Sequence, residues 1–182
     1  RNMSNEVGGQ NRPLSVADEN GVVTQYDYGM YHLNSLTEAY ASPAVAQRET
    51  AFSYLNDTSD LRTLETSPSA CYDGTNRFQT VATAYLSGTQ LVSGRTETGW
   101  HNSSSGCQSA TRTTSIEYGN VSSFARDHGL PTAIRGPRVS VADDTELTYY
   151  ECTTGAECGQ IETVTNAAGH VTTFDSYDAH GR

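Results

Sequence analysis

The chain has 182 residues, a formal net charge of −10 and only 35% hydrophobic residues, and all 11 of its basic residues are arginine. Nucleic acids and anionic membrane surfaces are bound through clustered Arg or Lys, so this charge disfavours both partners. No apolar run approaches the roughly 18 residues of a membrane helix, and the sequence therefore predicts no membrane span of that kind.

The residue types favour β-structure over a compact globule. Thr is the commonest residue, and the 11 Tyr outnumber the 4 Phe and the single Trp. Few large aliphatic residues together with many Thr and Tyr suit a broad, thin sheet, because a pleated surface accepts β-branched and aromatic side chains. Intrinsic disorder is the alternative for so polar a chain, but the regular spacing of aromatic and β-branched residues favours an ordered sheet.

In chain order, short strand-like runs alternate with turn signals, which predicts an all-β protein of antiparallel hairpins. The predicted strands are 21–28, 49–55, 61–67, 78–86, 90–100, 111–119, 145–152, 158–166 and 170–177. The second and third of these form one hairpin, and the fourth and fifth form another. After 111–119 the chain passes through "NVSS" into "FARDHG", and a further run, "GLPTAIRG" at 129–136, follows. The best helix signal, at 36–46, contains Pro43, which would break it.

The sequence closes on "NAAGHVTTFDSYDAHGR", residues 166–182, which reads as turn, strand and turn. Asn166 is suited to start the first turn, and Gly169 can take a positive φ within it. The second turn, "DAHGR", opens a hairpin whose next strand would follow it. We therefore expect the chain to be a segment of a longer protein.

Residues 14–28 and 159–182 show an internal similarity when Gly21 is placed on Gly169. The matched pairs are then Val16/Val164, Asp18/Asn166, Val23/Val171, Thr24/Thr172 and Tyr26/Phe174. After the last pair the copies slip by one residue, as the extra residue of a β-bulge would cause. Two stretches between the copies keep the rhythm of an aromatic strand, a polar turn and a Leu-containing strand: Tyr54–Leu64 and Tyr85–Leu91.

The closing segment "GHVTTFDSYDAHGR" resembles the YD repeat of bacterial RHS-repeat proteins, in which Gly and Thr precede aromatics and Tyr-Asp and Gly-Arg close the unit. "NGVVTQYDY", at 20–28, is similar to a second copy that lacks the final Gly-Arg. The resemblance implies that residues 1–182 are one RHS/YD-repeat β-hairpin segment, either a domain or part of one. Its antiparallel hairpins would wind as a curved sheet or β-spiral shell, as in bacterial toxin complexes and teneurins.

The same resemblance implies a structural function in a secreted or surface protein of a bacterium. Shells of this family enclose a C-terminal polypeptide, so the implied partners are further repeats of the parent chain and a toxin-like cargo. The resemblance implies no catalytic residue, cofactor or metal in this segment. A sheet with water on both faces needs no dry core, and Thr, Tyr and Val then contribute cross-strand contacts of roughly 0.2–1 kcal/mol each.

The four cysteines are Cys71, Cys107, Cys152 and Cys158. An even number in an acidic, Lys-free chain favours disulfides and an oxidising compartment. Cys152 and Cys158 flank the loop "TTGAE", where a bridge would close one hairpin, which leaves Cys71 to pair with Cys107. Zinc is a rival interpretation, but there is no C-x-x-C spacing and no paired His. Free thiols are the third.

Nucleophiles and a base lie together in "GWHNSSSGC", where His101 is close in sequence to Cys107 and to Ser103, Ser104 and Ser105. Such a set can open covalent catalysis. No G-x-S-x-G elbow accompanies it, and we interpret the run as a hairpin tip. Three further histidines are assigned to turns: His128, His170 and His180.

Two groups of acids are candidates for glycoside hydrolysis, because this reaction needs two carboxylates across a cleft. They are Asp143, Asp144 and Glu146 in one group, and Asp57 and Asp60 in the other. The second group also resembles the start of a calcium loop, but the required Gly is replaced by Leu and the closing Glu by Ser. We interpret both groups as solvated turns.

Aromatic side chains could instead form a platform for sugars. Trp100, Tyr72, Tyr85 and Tyr118 are the candidates, and a carbohydrate- or cell-surface-binding β-module is the alternative function. The structural interpretation is that these aromatics pack along the sheet, as aromatic residues of strands commonly do. Surface glycans and self-assembly are accordingly the other partners to consider.

Overall fold

The computed structural model describes residues 3–7, 10–38, 48–56, 58–69, 71, 77–119, 129–138, 140–151, 154–178 and 180, with side chains from Arg12 onward. These residues form thirteen β-strands and no helix. The strands are β1 Met3–Val7, β2 Gln10–Ala17, β3 Val23–Tyr28, β4 Leu33–Glu38, β5 Arg48–Tyr54, β6 Arg62–Pro68, β7 Phe78–Tyr85, β8 Val92–Ser103, β9 Gly106–Tyr118, β10 Pro131–Arg135, β11 Thr145–Tyr149, β12 Ile161–Thr165 and β13 Val171–Thr173.

Successive strands are hydrogen-bonded neighbours in chain order from β1 to β13. The paired strands run antiparallel, as consecutive hairpins require. The predicted fold class, an all-β protein of antiparallel hairpins, is therefore confirmed.

Three strands have no counterpart among the predicted ones, namely β1, β2 and β4, whereas β10 lies within the run at 129–136. Proline obscures β2, because Pro13 lies in it and proline is uncommon inside a ladder. The weak helix signal at 36–46 is wrong at its start, since residues up to Glu38 belong to β4, which is paired on both sides. The rest of that signal lies outside the described residues.

The last predicted strand, 170–177, is too long. β13 ends at Thr173, and after Phe174, whose N–H donates to the Glu162 carbonyl at 2.9 Å, the chain leaves the ladder. The extra residue of the second segment lies between Phe174 and Tyr177, after the end of β13, and no register shift accompanies the β12–β13 pairing. A register shift occurs instead in the first segment, between Asp27 and Tyr28.

The two repeats found in the sequence have the same turn and the same register. Asp18 Oδ1 accepts hydrogen bonds from the backbone of Asn20 and Val22, and Asn166 Oδ1 accepts the equivalent bonds from Ala168 and His170. The matched pairs also lie opposite each other in the same way: Val16 on Thr24, and Val164 on Thr172. The two aligned segments thus share a turn and a strand register.

Gly21 and Gly169 hold corresponding places in these turns, each with a φ of 80°. We expect Gly169→Ala to lower the free energy of unfolding by about 1–2 kcal/mol, because a Cβ disfavours this left-handed conformation. Gly99→Ala is the matched control, since Gly99 has no positive φ and no atom within 4 Å of an added Cβ. Urea unfolding followed by circular dichroism measures both, and equal effects would contradict the assigned turn.

The chain divides into two compact units, Arg1–Thr83 with Thr96–Thr111, and Ala84–Arg95 with Arg112–Arg182. Unit 1 contains β1 to β6 and parts of β7, β8 and β9. Unit 2 contains the remaining parts of those three strands and β10 to β13.

Neither unit has an extensive dry core in its described part. The buried hydrophobic residues there are Cys71 and Cys107 in unit 1, and Ala133 and Cys158 in unit 2, and no large side chain is fully buried. Strands such as β5 and β11 alternate between more and less exposed residues, whereas all five residues of β12 are half-buried. Contacts between neighbouring strands therefore contribute most of the packing.

Candidate functional site

A hydrogen bond between a tyrosine side chain and the neighbouring strand recurs along the chain. In each case the phenol donates to the backbone carbonyl of the first residue of the preceding strand, and we call this contact the tyrosine clamp. The four clamps are Tyr54 to Leu33 at 3.0 Å, Tyr118 to Val92 at 2.8 Å, Tyr149 to Pro131 at 2.7 Å and Tyr177 to Ile161 at 2.6 Å.

The tyrosines occupy equivalent places in the fold. Tyr54, Tyr118 and Tyr149 are the last residues of β5, β9 and β11, and Tyr177 follows β13. Tyr28 and Tyr85 end β3 and β7 in the same way. A tyrosine therefore ends every second strand from β3 to β11.

The residue after each of the five tyrosines that end a strand closes the next hairpin. Its N–H donates to the carbonyl that precedes the following strand, in the pairs Gly29 to His32, Leu55 to Leu61, Leu86 to Leu91, Gly119 to Leu130 and Tyr150 to Gln160. A register shift lies immediately before Tyr28, Tyr54 and Tyr149. Because a bulge re-aims the side chain beside it, the shifts allow the side chains of Tyr54 and Tyr149 to bond to the preceding strand, while the backbone of the next residue bonds to the carbonyl before the following strand.

Each clamp satisfies a carbonyl at the beginning of a strand, and a hydrogen bond of this kind contributes about 1 kcal/mol net. Tyr149 is half-buried, and its burial raises the pKa of the phenol above the ordinary value. The phenol is protonated at neutral pH and donates to the Pro131 carbonyl.

The raised pKa of Tyr149 also predicts a pH dependence. Since the folded-state pKa lies above the unfolded value of about 10, its contribution to stability is fully present below that pH and is lost as the pH rises through the folded-state pKa. We expect the free energy of unfolding to fall more steeply above pH ~10 in the wild type than in Tyr149→Phe. Urea titrations at a series of pH values measure this, and parallel profiles would argue against it.

Cys71 and Cys107 form a disulfide with a Cα–Cα distance of 5.9 Å across 36 residues of sequence, as predicted. Cys107 therefore is not available as a nucleophile. No free thiol occurs among the described cysteines. Cys152, the predicted partner of the buried Cys158, lies outside the described residues, so the second bridge remains a prediction. A disulfide is compatible with an oxidising compartment.

The residues considered for covalent catalysis are engaged in local structure. Strand β8 ends at Ser103 and strand β9 begins at Gly106, so that a short turn forms the hairpin tip. The Ser103 hydroxyl donates to the Gly106 carbonyl at 2.9 Å, while His101 is exposed in β8. Of the histidines assigned to turns, His170 and His180 have turn hydrogen bonds, and His128 lies outside the described residues.

The acids considered for hydrolysis form ion pairs. Arg135 lies among Glu117 at 3.1 Å, Asp144 at 3.0 Å and Glu146 at 3.4 Å. The hydrogen bonds that its guanidinium donates to Glu117 and then to Asp144 raise the pKa of Arg135. Asp143 accepts from both the backbone and the side chain of Arg138. These residues form charge pairs in the β10–β11 region, and no feature of the sequence indicated Arg135 as their centre.

In the second acidic group, Asp60 lies 3.3 Å from the His32 ring nitrogen, and that ring stacks on Tyr54 at 4.2 Å. Asp57 lies outside the described residues. The loop's Asn56 accepts two hydrogen bonds from Thr58, so its oxygen is used within the turn. No group of three metal-ligating side chains occurs in the part of the chain that the structure describes.

The predicted aromatic platform is only partly described. The Arg77 guanidinium lies 4.1 Å above the Trp100 ring and covers one of its faces. Tyr118 donates its hydroxyl to a clamp, Tyr85 ends β7, and Tyr72 lies outside the described residues. At most one face of Trp100 is open to a sugar.

No protein-family model and no curated protein matches the chain. Within the described residues, no helix has the length and apolar character that crossing a membrane requires.

Proposed function

We propose that the chain is an RHS/YD-repeat segment with an architectural function. It builds part of a curved wall that encloses or displays another part of its parent protein, outside the cytoplasm of a bacterium. It has no catalytic role in this proposal. Its partners are further repeats and the enclosed polypeptide.

The recurrence of the tyrosine clamp carries the proposal. A wall made from one winding ribbon needs a unit that attaches each hairpin to the one before it and to the one after it. Tyr54, Tyr118 and Tyr149 do this, because the side chain of each bonds to the preceding strand and the next backbone amide bonds to the carbonyl before the following strand.

If the chain is such a segment, the Tyr-Asp pair of the motif that resembles a YD repeat has a role in joining hairpins. Tyr177 forms the clamp to Ile161, and Asp178 Oδ1 accepts from the His180 N–H at 2.8 Å, which starts a turn. Tyr-Asp would therefore end one strand and begin the next turn. Both residues would be needed at this position in a repeating hairpin.

The small number of buried side chains in the described residues also supports a wall. A self-contained globule of this length normally buries large aliphatic and aromatic side chains. Here no large side chain is fully buried in the described part, and Met30, Leu55 and Val171 are each more than half exposed. Such a sheet gains stability from neighbouring strands along the ribbon.

Protection of the cargo tests the proposal. The full-length polypeptide that contains this segment is expressed with an epitope tag in the region after the repeats, and is exposed to a protease. We expect the tag to survive in the native protein and to be cleaved once the wall is opened by reduction and mild urea. A tag that is cleaved equally fast in both states would overturn the enclosing function.

A further inference from the structure

Unit 2 contains a cavity of about 650 Å³ beside the end of β11. Volumes of this size are typical of small-molecule sites. Its walls combine apolar, aromatic and acidic side chains, represented by Leu130, Leu147, Tyr149, Tyr150, Glu151 and Glu162. The proposed architectural function does not use this cavity.

The hydroxyl groups that line the cavity have their protons directed to protein acceptors. Thr132 donates to the Glu117 carbonyl at 3.3 Å, and Tyr149 and Tyr150 donate to the carbonyls of Pro131 and Phe174. Thr148 lies 2.8 Å from the Thr163 hydroxyl and 3.4 Å from Glu162 Oε2, so its proton is shared with one of these two.

Two of the lining backbone amides are used as well. The Gly119 N–H donates to the Leu130 carbonyl, and the Tyr150 N–H donates to the Gln160 carbonyl. The lining side chains thus offer oxygen acceptors, and a ligand must supply the hydrogen-bond donors.

The electrostatic field in the cavity is negative. Glu151 and Glu162 are the charged residues among its described lining, which includes no basic side chain. Desolvation, followed by the charges of Glu162, Asp175 and Glu157, raises the pKa of Tyr150. A carboxylate or phosphate ligand would be repelled here, whereas a cation would be attracted.

We propose that this cavity binds a primary alkylammonium group, supplied by a free diamine or by a lysine side chain of a polypeptide. The ammonium donates charge-assisted hydrogen bonds to Glu151 and Glu162. The faces of Tyr149 and Tyr150 attract the cation. Leu130 and Leu147 contact the methylene stem, as apolar surface commonly does for lysine.

Calorimetric titration of putrescine into the 182-residue chain tests the site, with butanediol as the neutral analogue and succinate as the anionic one. We expect saturable binding of putrescine alone. The Glu151→Gln/Glu162→Gln double variant should weaken it at least about tenfold. Glu49→Gln, an exposed acid in unit 1, controls for net charge and should leave the affinity within about twofold.

A blocked Gly-Lys-Gly peptide and its norleucine analogue identify the source of the ammonium group. Binding of the lysine peptide alone assigns the group to a polypeptide, binding of putrescine alone assigns it to a free amine, and either result supports the site. Three results would overturn it: no saturable binding of either amine, equal binding of butanediol, or unchanged affinity in the folded double Gln variant. Circular dichroism verifies the fold of each variant.

Discussion

We expect the Cys71→Ala/Cys107→Ala variant to lose about 2–4 kcal/mol of unfolding free energy. The disulfide closes a loop of 36 residues. A cross-link over a loop of this length lowers the conformational entropy of the unfolded chain, which stabilises the folded state by about that amount. Both cysteines are buried in a unit whose described part buries no other hydrophobic side chain. No large core is present there to compensate for the loss.

The measurement is urea unfolding of the oxidised wild type and of the variant. A Ser/Ser version is the matched control, because it keeps a polar atom at each position but also lacks the covalent bond. Equal losses in the Ala and Ser variants assign the effect to the cross-link. A change below about 0.5 kcal/mol in both would show that the bridge contributes little.

Removing the hydroxyl group of Tyr118 and of Tyr149 together should lower the free energy of unfolding by about 2–4 kcal/mol. Each Tyr→Phe change deletes one clamp and leaves a part-buried carbonyl without its donor, which costs about 1–2 kcal/mol per site. The ring remains, so the packing of the side chain is retained.

Tyr31→Phe is the control for the clamp variants, since Tyr31 is 49% exposed and forms no clamp. Hydrogen exchange adds a local measurement. Amides of β10 and β11 should exchange faster in Tyr149→Phe, while those of β5 and β6 should not change, because stability in such a sheet is local. Uniform acceleration along the chain would argue against a clamp that acts hairpin by hairpin.

The turns and strands were the most predictable part of the fold. Asp18 and Asn166, each followed by a glycine three residues later, specify a turn by local chemistry alone, and the structure has the same turn at both places. Strands with dense Thr, Tyr and Val were also found, to within a few residues. Proline concealed β2, because the pairing of that strand depends on its neighbours and not on its own propensity.

The side-chain contacts between residues distant in sequence were less predictable. The sequence shows a tyrosine near the end of several strands, but the carbonyl it reaches lies in another strand, at a position fixed by the register. Arg135 is similar, since its three acidic partners come from β9, β11 and the chain before β11. The cavity beside Tyr150 likewise depends on residues distant in sequence. The pairing of Cys71 with Cys107 was accessible because so few alternatives existed.

A cryo-electron microscopy map of the full-length protein tests whether these strands form part of a wall. We expect one continuous antiparallel ribbon around an interior that is filled by solvent or polypeptide, with a tyrosine clamp at the end of alternate strands. A separate solid domain with its own apolar centre, in which these tyrosines face solvent, would contradict it.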